Sequence, residues 1–141
     1  MRVLAIDLGS VRVGIAISDE LGLMAHPRPH LPGADWPTLL AALETLAREE
    51  GVGRFLVGLP RHLNGSEGRA ARDARRFAAA LTKRTKLPVI LCDEWLSTRQ
   101  AHAHLREAGN KQRDTRQRID SAAAAVFLQS WLDGQAAGGE P

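Results

Sequence analysis

Cysteine is all but missing from this chain of 141 residues: Cys92 stands alone. A single thiol excludes an internal disulfide and leaves a cysteine-based zinc site without its ligands. No apolar run approaches the length needed to cross a bilayer. The first residues show no leader pattern and enter a strand directly, so the expected compartment is the cytoplasm. There is no G-x-x-x-x-G-K-[ST] phosphate loop, no internal repeat and no linker between domains. Charge is close to balanced, with 19 Lys and Arg against 16 Asp and Glu for a net +3. That mild excess permits a nucleic-acid partner without requiring one. The hydrophobic share of 44% and charged share of 25% are those of an ordinary soluble domain. The expected organisation is one domain over residues 1–133 and a flexible Gly- and Ala-rich tail over 134–141.

What is present begins at the N-terminus. Val3 to Leu8 is an apolar run broken by one carboxylate, Asp7. Apolar residues on both parities predict a central strand covered on both faces. An ionised carboxylate there is costly unless it is paired or bound to a cation. Gly9-Ser10 reads as a tight turn using the positive φ open to glycine. Val11, Val13, Ile15 and Ile17 alternate with Arg12, Gly14, Ala16 and Ser18 and predict the returning strand. A two-residue turn would set Asp7 opposite Arg12, with Gly14 leaving open space beside the carboxylate.

Further along, the prolines at 27, 29 and 32 restrict a third strand, around Leu23 to Leu31, to an edge. Asp35 is the expected cap of a helix with Pro37 in its first turn. Its buried stripe is Leu39, Leu40, Leu43, Leu46 and Ala47, and Gly51 ends it. Arg54 to Pro60 predicts a buried strand parallel to its predecessor in the sheet. The loop 62–68 holds the turn dipeptide Asn64-Gly65 and a candidate cap, Ser66. A helix over 68–86 is expected to bury Ala70, Ala74, Phe77, Ala78 and Leu81. Its other face carries Arg69, Arg72, Arg76 and Lys83, which reads as a solvated row. Pro88 to Glu94 predicts another buried strand. Ser97 and Gln100 have capping-box spacing for a helix to Ala108. His102 and His104 on it lie two apart, share no face and read as surface residues. Residues 109–118 are polar and strongly basic and read as a mobile loop. A last helix from Ile119 is expected to bury Ala123, Ala124, Phe127, Leu128 and Trp131.

Three acids stand out: Asp7 in the first strand, Glu94 at the end of a later strand, Asp120 at the start of the last helix. If the two strands are parallel neighbours, the carboxylates meet at one sheet edge. Three carboxylates gather only with a compensating charge, because each raises the pKa of the others. Hard divalent cations supply that charge and take oxygen ligands. Two such ions about 4 Å apart can activate a water and stabilise the leaving oxygen of a phosphodiester.

These residues resemble a known family. Ile6-Asp7-Leu8-Gly9 with Val13-Gly14-Ile15-Ala16 is similar to the first motif of the YqgF/RuvX family. Val57-Gly58-Leu59-Pro60 with Asn64-Gly65-Ser66-Glu67 resembles the second, Asp93-Glu94-Trp95-Leu96-Ser97-Thr98 the third, and Ile119-Asp120-Ser121-Ala122-Ala123 the fourth. The four occur in order and span nearly the whole chain. The resemblance implies an α/β, RNase H-like fold: a five-stranded mixed sheet, three antiparallel strands first and then parallel ones, with helices on both faces. It implies that Asp7, Glu94 and Asp120 bind the catalytic Mg²⁺ or Mn²⁺. It also implies a nuclease for the 5′ end of pre-16S rRNA, related to Holliday-junction resolvases. One departure is Trp95, where the family usually has Arg after the glutamate. That puts in question any phosphate contact the Arg would make; Trp95 reads first as a packed residue at the strand end, with a base-stacking surface as the alternative.

The leading expectation is therefore a metal-dependent nuclease acting on structured nucleic acid, either pre-rRNA or branched DNA. Arg12, Lys111, Arg113, Arg116 and Arg118 would hold the backbone beside the acids. The helix row Arg69, Arg72 and Arg76 is expected to matter less. Resolution of a four-way junction is easier with two sites on a two-fold axis and so would call for a homodimer. Two other classes are an actin-like ATPase, which needs two such domains where this chain supplies one, and a non-catalytic nucleic-acid-binding ribosome-assembly factor, which would tolerate loss of an acid.

Overall fold

The computed structural model describes residues 1–60, 67–93 and 112–136, the stretch 112–120 by its backbone alone. Its five strands are β1 (Arg2–Asp7), β2 (Arg12–Ser18), β3 (Ala25–Pro32), β4 (Val52–Leu59) and β5 (Val89–Asp93). Its helices, among the described residues, are α1 (Trp36–Glu50), α2 (Arg69–Thr85) and α3 (Gln112–Ala136). The strands form one sheet in the order β3-β2-β1-β4-β5. The first three pair antiparallel, while β4 and β5 run parallel to β1. This is the expected mixed sheet, and β1 is its middle strand.

The pleat explains why β1 is apolar on both parities. Leu4 and Ile6 point to one face, where they pack with Leu39 and Leu43 of α1 and Ala71, Ala74, Phe77 and Leu81 of α2. Val3 and Ala5 point to the other, against Ala124, Phe127, Leu128 and Leu132 of α3. Helices thus cover both faces. None among the described residues is long and apolar enough to cross a membrane.

Local chemistry accounts for most boundaries. The prolines of β3 cannot donate to a further strand, and β3 lies at the sheet edge. α1 has Pro37 at its start and closes on Gly51 in the left-handed region, φ 70°, whose N–H donates to the Ala47 carbonyl. Asp35 stands at the N-cap position, but its carboxylate accepts from the Thr38 hydroxyl rather than from the helix backbone. Leu39, Leu43 and Ala47 are fully buried, with Leu40 and Leu46 packed partly against them.

Several expectations are corrected. In α2 the buried residue of the first turn is Ala71, and Ala70 is exposed, because 71, 74, 78 and 81 keep the 3–4 spacing that faces the sheet. β5 lies at the other edge of the sheet, so its residues are half-buried and Asp93 is exposed. The last helix begins at Gln112, seven residues before Ile119. Gln and Arg are good helix formers and neither Gly nor Pro interrupts the stretch, so a polar segment without apolar periodicity extends the helix that follows it. At its other end α3 runs through Gly134 to Ala136; Leu132 is buried and Trp131 half-buried, with the Arg54 guanidinium 5.5 Å from its ring. The expectations for Ser66, Trp95, the helix over 97–108, His102, His104 and residues 137–141 lie outside the described residues.

α3 is tied to the sheet by side-chain bonds at two heights. Gln129 accepts from the Ala25 N–H at 2.8 Å and donates to the Leu23 carbonyl at 2.9 Å. Nearer the helix start, Ser121 is fully buried and its Oγ accepts the Ile15 N–H at 3.1 Å. The register between β2 and β3 shifts between Val13 and Ile15, and the Ile15 N–H takes the hydroxyl as its partner. Ser121→Ala strands that amide in a dry interior. We expect a loss of roughly 1–3 kcal/mol, read from urea unfolding, with native-like circular dichroism.

Candidate active site

Asp7 ends β1 and shares the parity of Val3 and Ala5, so its carboxylate belongs to the face that α3 covers. The antiparallel register pairs it with Gly14, not Arg12. The connection is longer than two residues, and Val11, expected in the returning strand, lies in it and is exposed. Gly9 does not take a positive φ there. What it supplies is room, since a Cβ on Gly9 would stand 2.3 Å from the Arg12 carbonyl oxygen. Gly33 packs on the same loop: its N–H donates to the Val11 carbonyl at 2.9 Å, and a Cβ on it would meet the Gly9 oxygen at 2.6 Å.

On the other side of β1, pairing with β4 runs to Ile6 and Val57. Asp7 is one position further, level with Gly58, which in turn pairs with Cys92 of β5. The half-buried carboxylate therefore has a buried glycine on each flanking strand. No side chain from either neighbour crowds it, so there is room at the sheet edge for ligands. Gly14 was legible in the sequence as a small residue. Gly58 was not singled out, since only strand register identifies it as a neighbour of Asp7.

The second acid reaches this edge on α3. Ile15 is the residue after Gly14, so the Ser121–Ile15 bond anchors the helix one residue from the position opposite Asp7. Asp120 is next to Ser121 in that helix; its side chain is not among those described. Glu94, the third acid, follows Asp93 and lies outside the described residues, as does Lys111. The condition that β1 and β5 be neighbours is not met: β4 separates them, both running parallel to it with their C-terminal ends at one edge. Arg12 opens β2 and is exposed, paired in the sheet with Pro32. Arg113, Arg116 and Arg118 stand in the first turns of α3, where a loop was expected.

Among the described residues, no group of three or more His, Cys, Asp or Glu side chains is placed to hold a metal ion. Asp7 itself fits a hard divalent cation: it offers carboxylate oxygens, the donor class such ions take, in a gap bounded by glycines. Gly9→Ala tests how closely this hairpin is built. The Cβ must displace backbone, so we expect destabilisation of about 1–3 kcal/mol, measured by denaturant unfolding.

Comparison with known proteins identifies the fold and the family. The family model described as "RuvX: Holliday junction resolvase" matches residues 1–134. A protein of Anaeromyxobacter sp. (strain Fw109-5) named "Putative pre-16S rRNA nuclease" is 45% identical over 135 residues, covering 96% of this chain and 98% of that one. Its namesake in Anaeromyxobacter dehalogenans (strain 2CP-C) is 43% identical over 136 residues, covering 96% and 99%. Among solved structures, Thermus thermophilus RuvC in complex with a Holliday junction substrate superposes with a TM-score of 0.61 at 16% identity, covering 100% of this chain and 99% of that one. The fold is thus the RuvC-like RNase H fold. With the family model and near-full-length relatives in agreement, this chain belongs to the RuvX family.

Proposed function

We propose that this protein is a divalent-cation-dependent nuclease that hydrolyses phosphodiester bonds at the 5′ end of pre-16S rRNA, in the cytoplasm. The observation that carries the reading is Asp7: a carboxylate at the end of the central strand, between two glycines, with the helix that bears Asp120 bonded to the adjacent strand. Asp7, Glu94 and Asp120 would hold Mg²⁺ or Mn²⁺. The bound cation supplies Lewis-acid activation of water and neutralises charge on the phosphodiester. The protein's own part is to position and to exclude. β1 fixes Asp7 by its pairing with Gly14 of β2 and by the β4 pairing that runs up to Ile6, and α3 closes the face behind it.

The basic residues suit a polyanion. In helical register, positions 113, 116 and 120 recur at i, i+3 and i+7 and so form one stripe. Cations there would follow the phosphates on either side of the one cleaved, with Arg12 adding a contact from the hairpin. The pre-rRNA reading draws on the names of the relatives at 43–45% identity. The family description favours a second reading, resolution of four-way DNA junctions. A cleavage assay comparing precursor rRNA with a four-way junction at equal salt, in Mg²⁺ and in Mn²⁺, separates them. Selective cutting of the precursor end supports the first reading, and paired symmetric cuts in the junction support the second.

Asp7→Asn keeps the size of the side chain and removes its charge. We expect cleavage to be lost with the fold intact, and metal-free stability to hold or rise as repulsion among the acids falls. Turnover like that of the wild type would remove Asp7 from the mechanism. Replacing Lys111, Arg113, Arg116 and Arg118 by Ala should make the slope of log K against log salt shallower by about 3 to 4, at roughly 0.9 per duplex phosphate contact. Turnover at saturating substrate should fall less than affinity. An unchanged slope with collapsed turnover would instead assign these residues to the scissile phosphate.

A further inference from the structure

The outer face of α2 is more one-sided than a solvated helix face needs to be. Between Arg69 and Thr85 the helix carries six cations and one acid. Arg75 pairs with Glu67 at 2.6 Å, Arg76 with Asp73, and Arg84 with Glu44 of α1 at 3.2 Å. The nearby acids are thereby used. Arg69, Arg72 and Lys83 have no acid partner among the described residues. All three are exposed, and they recur with Arg76 at helical spacing along one stripe, opposite the buried Ala71, Ala74, Phe77 and Leu81. Arg69, Arg72, Asp73 and Arg76 line an open concavity of 530 Å³.

Topology decides where this stripe starts. β4 runs parallel to β1, so Leu59 ends at the edge where Asp7 lies. α2 follows β4 and leads to β5, which starts at the opposite edge. The first turn of α2, with Arg69 and Arg72, therefore belongs to the Asp7 edge, and the helix runs away from it on the sheet face that α3 does not cover.

We propose that the outer face of α2 is a docking surface for the phosphate backbone of a double-stranded nucleic-acid arm leaving the active edge. This rests on the nuclease reading. The occupant is argued from charge complementarity: unpaired guanidinium groups suit phosphate oxygens, which they can grip in bidentate fashion. From Arg69 to Lys83 the stripe is about 21 Å long at 1.5 Å per residue, which spans roughly six base pairs at 3.4 Å each. The arm must extend that far beyond the cleavage point to use the whole surface. This revises the expectation that the row is merely solvated, and the segment before Asp120 keeps the larger share of the contacts.

The test is fluorescence anisotropy of the full chain in EDTA, with labelled duplexes of graded length and salt varied. Arg69→Ala with Arg72→Ala should make the log K against log salt slope shallower by about 2 and weaken binding roughly tenfold or more near 0.1 M salt. The thermal midpoint should be unchanged, since both side chains are exposed. The corresponding double Lys variant should keep the slope. Arg48→Ala, an exposed arginine at the end of α1, should leave it unchanged. For the wild type, affinity should rise with duplex length and level off once the arm passes Lys83. An unchanged slope in the Ala variant, or an equal loss with Arg48→Ala, overturns the proposal. Failure of the nuclease reading looks different: the wild type would cut neither precursor rRNA nor a four-way junction in Mg²⁺ or Mn²⁺, while the salt slope still responded to Arg69 and Arg72.

Discussion

The bond from the Ile15 N–H to the buried Ser121 hydroxyl is the contact on which the site geometry depends. A helix packed only by Ala124, Phe127, Leu128 and Leu132 could slide along the sheet at modest cost, since apolar contact is not directional. A buried hydrogen bond cannot slide. Leaving that amide without a partner costs far more than the bond itself contributes. The helix is therefore held in register against β2, at the residue beside Gly14, and Asp120 is carried to the edge where β1 ends. The shift in β2–β3 pairing at this point belongs to the same arrangement.

Around Asp7 the structure removes side chains. Glycine stands opposite on β2 and alongside on β4, and the hairpin beyond it is packed too tightly for a Cβ at Gly9 or Gly33. A carboxylate in such a gap offers oxygen donors of the class a hard divalent cation takes. Strand pairing with β2 at Asp7 and with β4 up to Ile6 holds the backbone of this position in place.

The electrostatics follow the same division. Asp7 belongs to the edge by its strand register, the backbone of Asp120 reaches it beside Ser121, and a row of cations stands on the outer face of α2. The net charge of +3 conceals this segregation, because acids elsewhere offset the basic helices. The basic stripe of α2 starts at that edge and runs along the sheet face that α3 leaves uncovered.

Much of this was legible in the linear chain. The two-parity apolar run around Leu4 and Ile6 announced a central strand, the prolines of β3 an edge, and Gly51 a helix end, because each follows from local stereochemistry. Asp7 was conspicuous as a charge inside that run. Other features depended on contacts far apart in sequence. The hairpin register that sets Gly14 opposite Asp7, the place of β4 between β1 and β5, and the choice of Ala71 over Ala70 were decided by which hydrogen bonds and side-chain contacts the assembled sheet could satisfy at once. Helix formation from Gln112 likewise goes beyond a hydrophobic pattern, because a polar segment can extend a helix already nucleated by its packed half. Sequence by itself determined which groups are available, carboxylates at positions 7, 94 and 120 and a basic complement. Only the tertiary structure decided that Gly58 is a neighbour of Asp7 and that Ser121, 106 residues from Ile15, holds the last helix in place, because register and long-range hydrogen bonding are properties of the packed chain and not of any window along it.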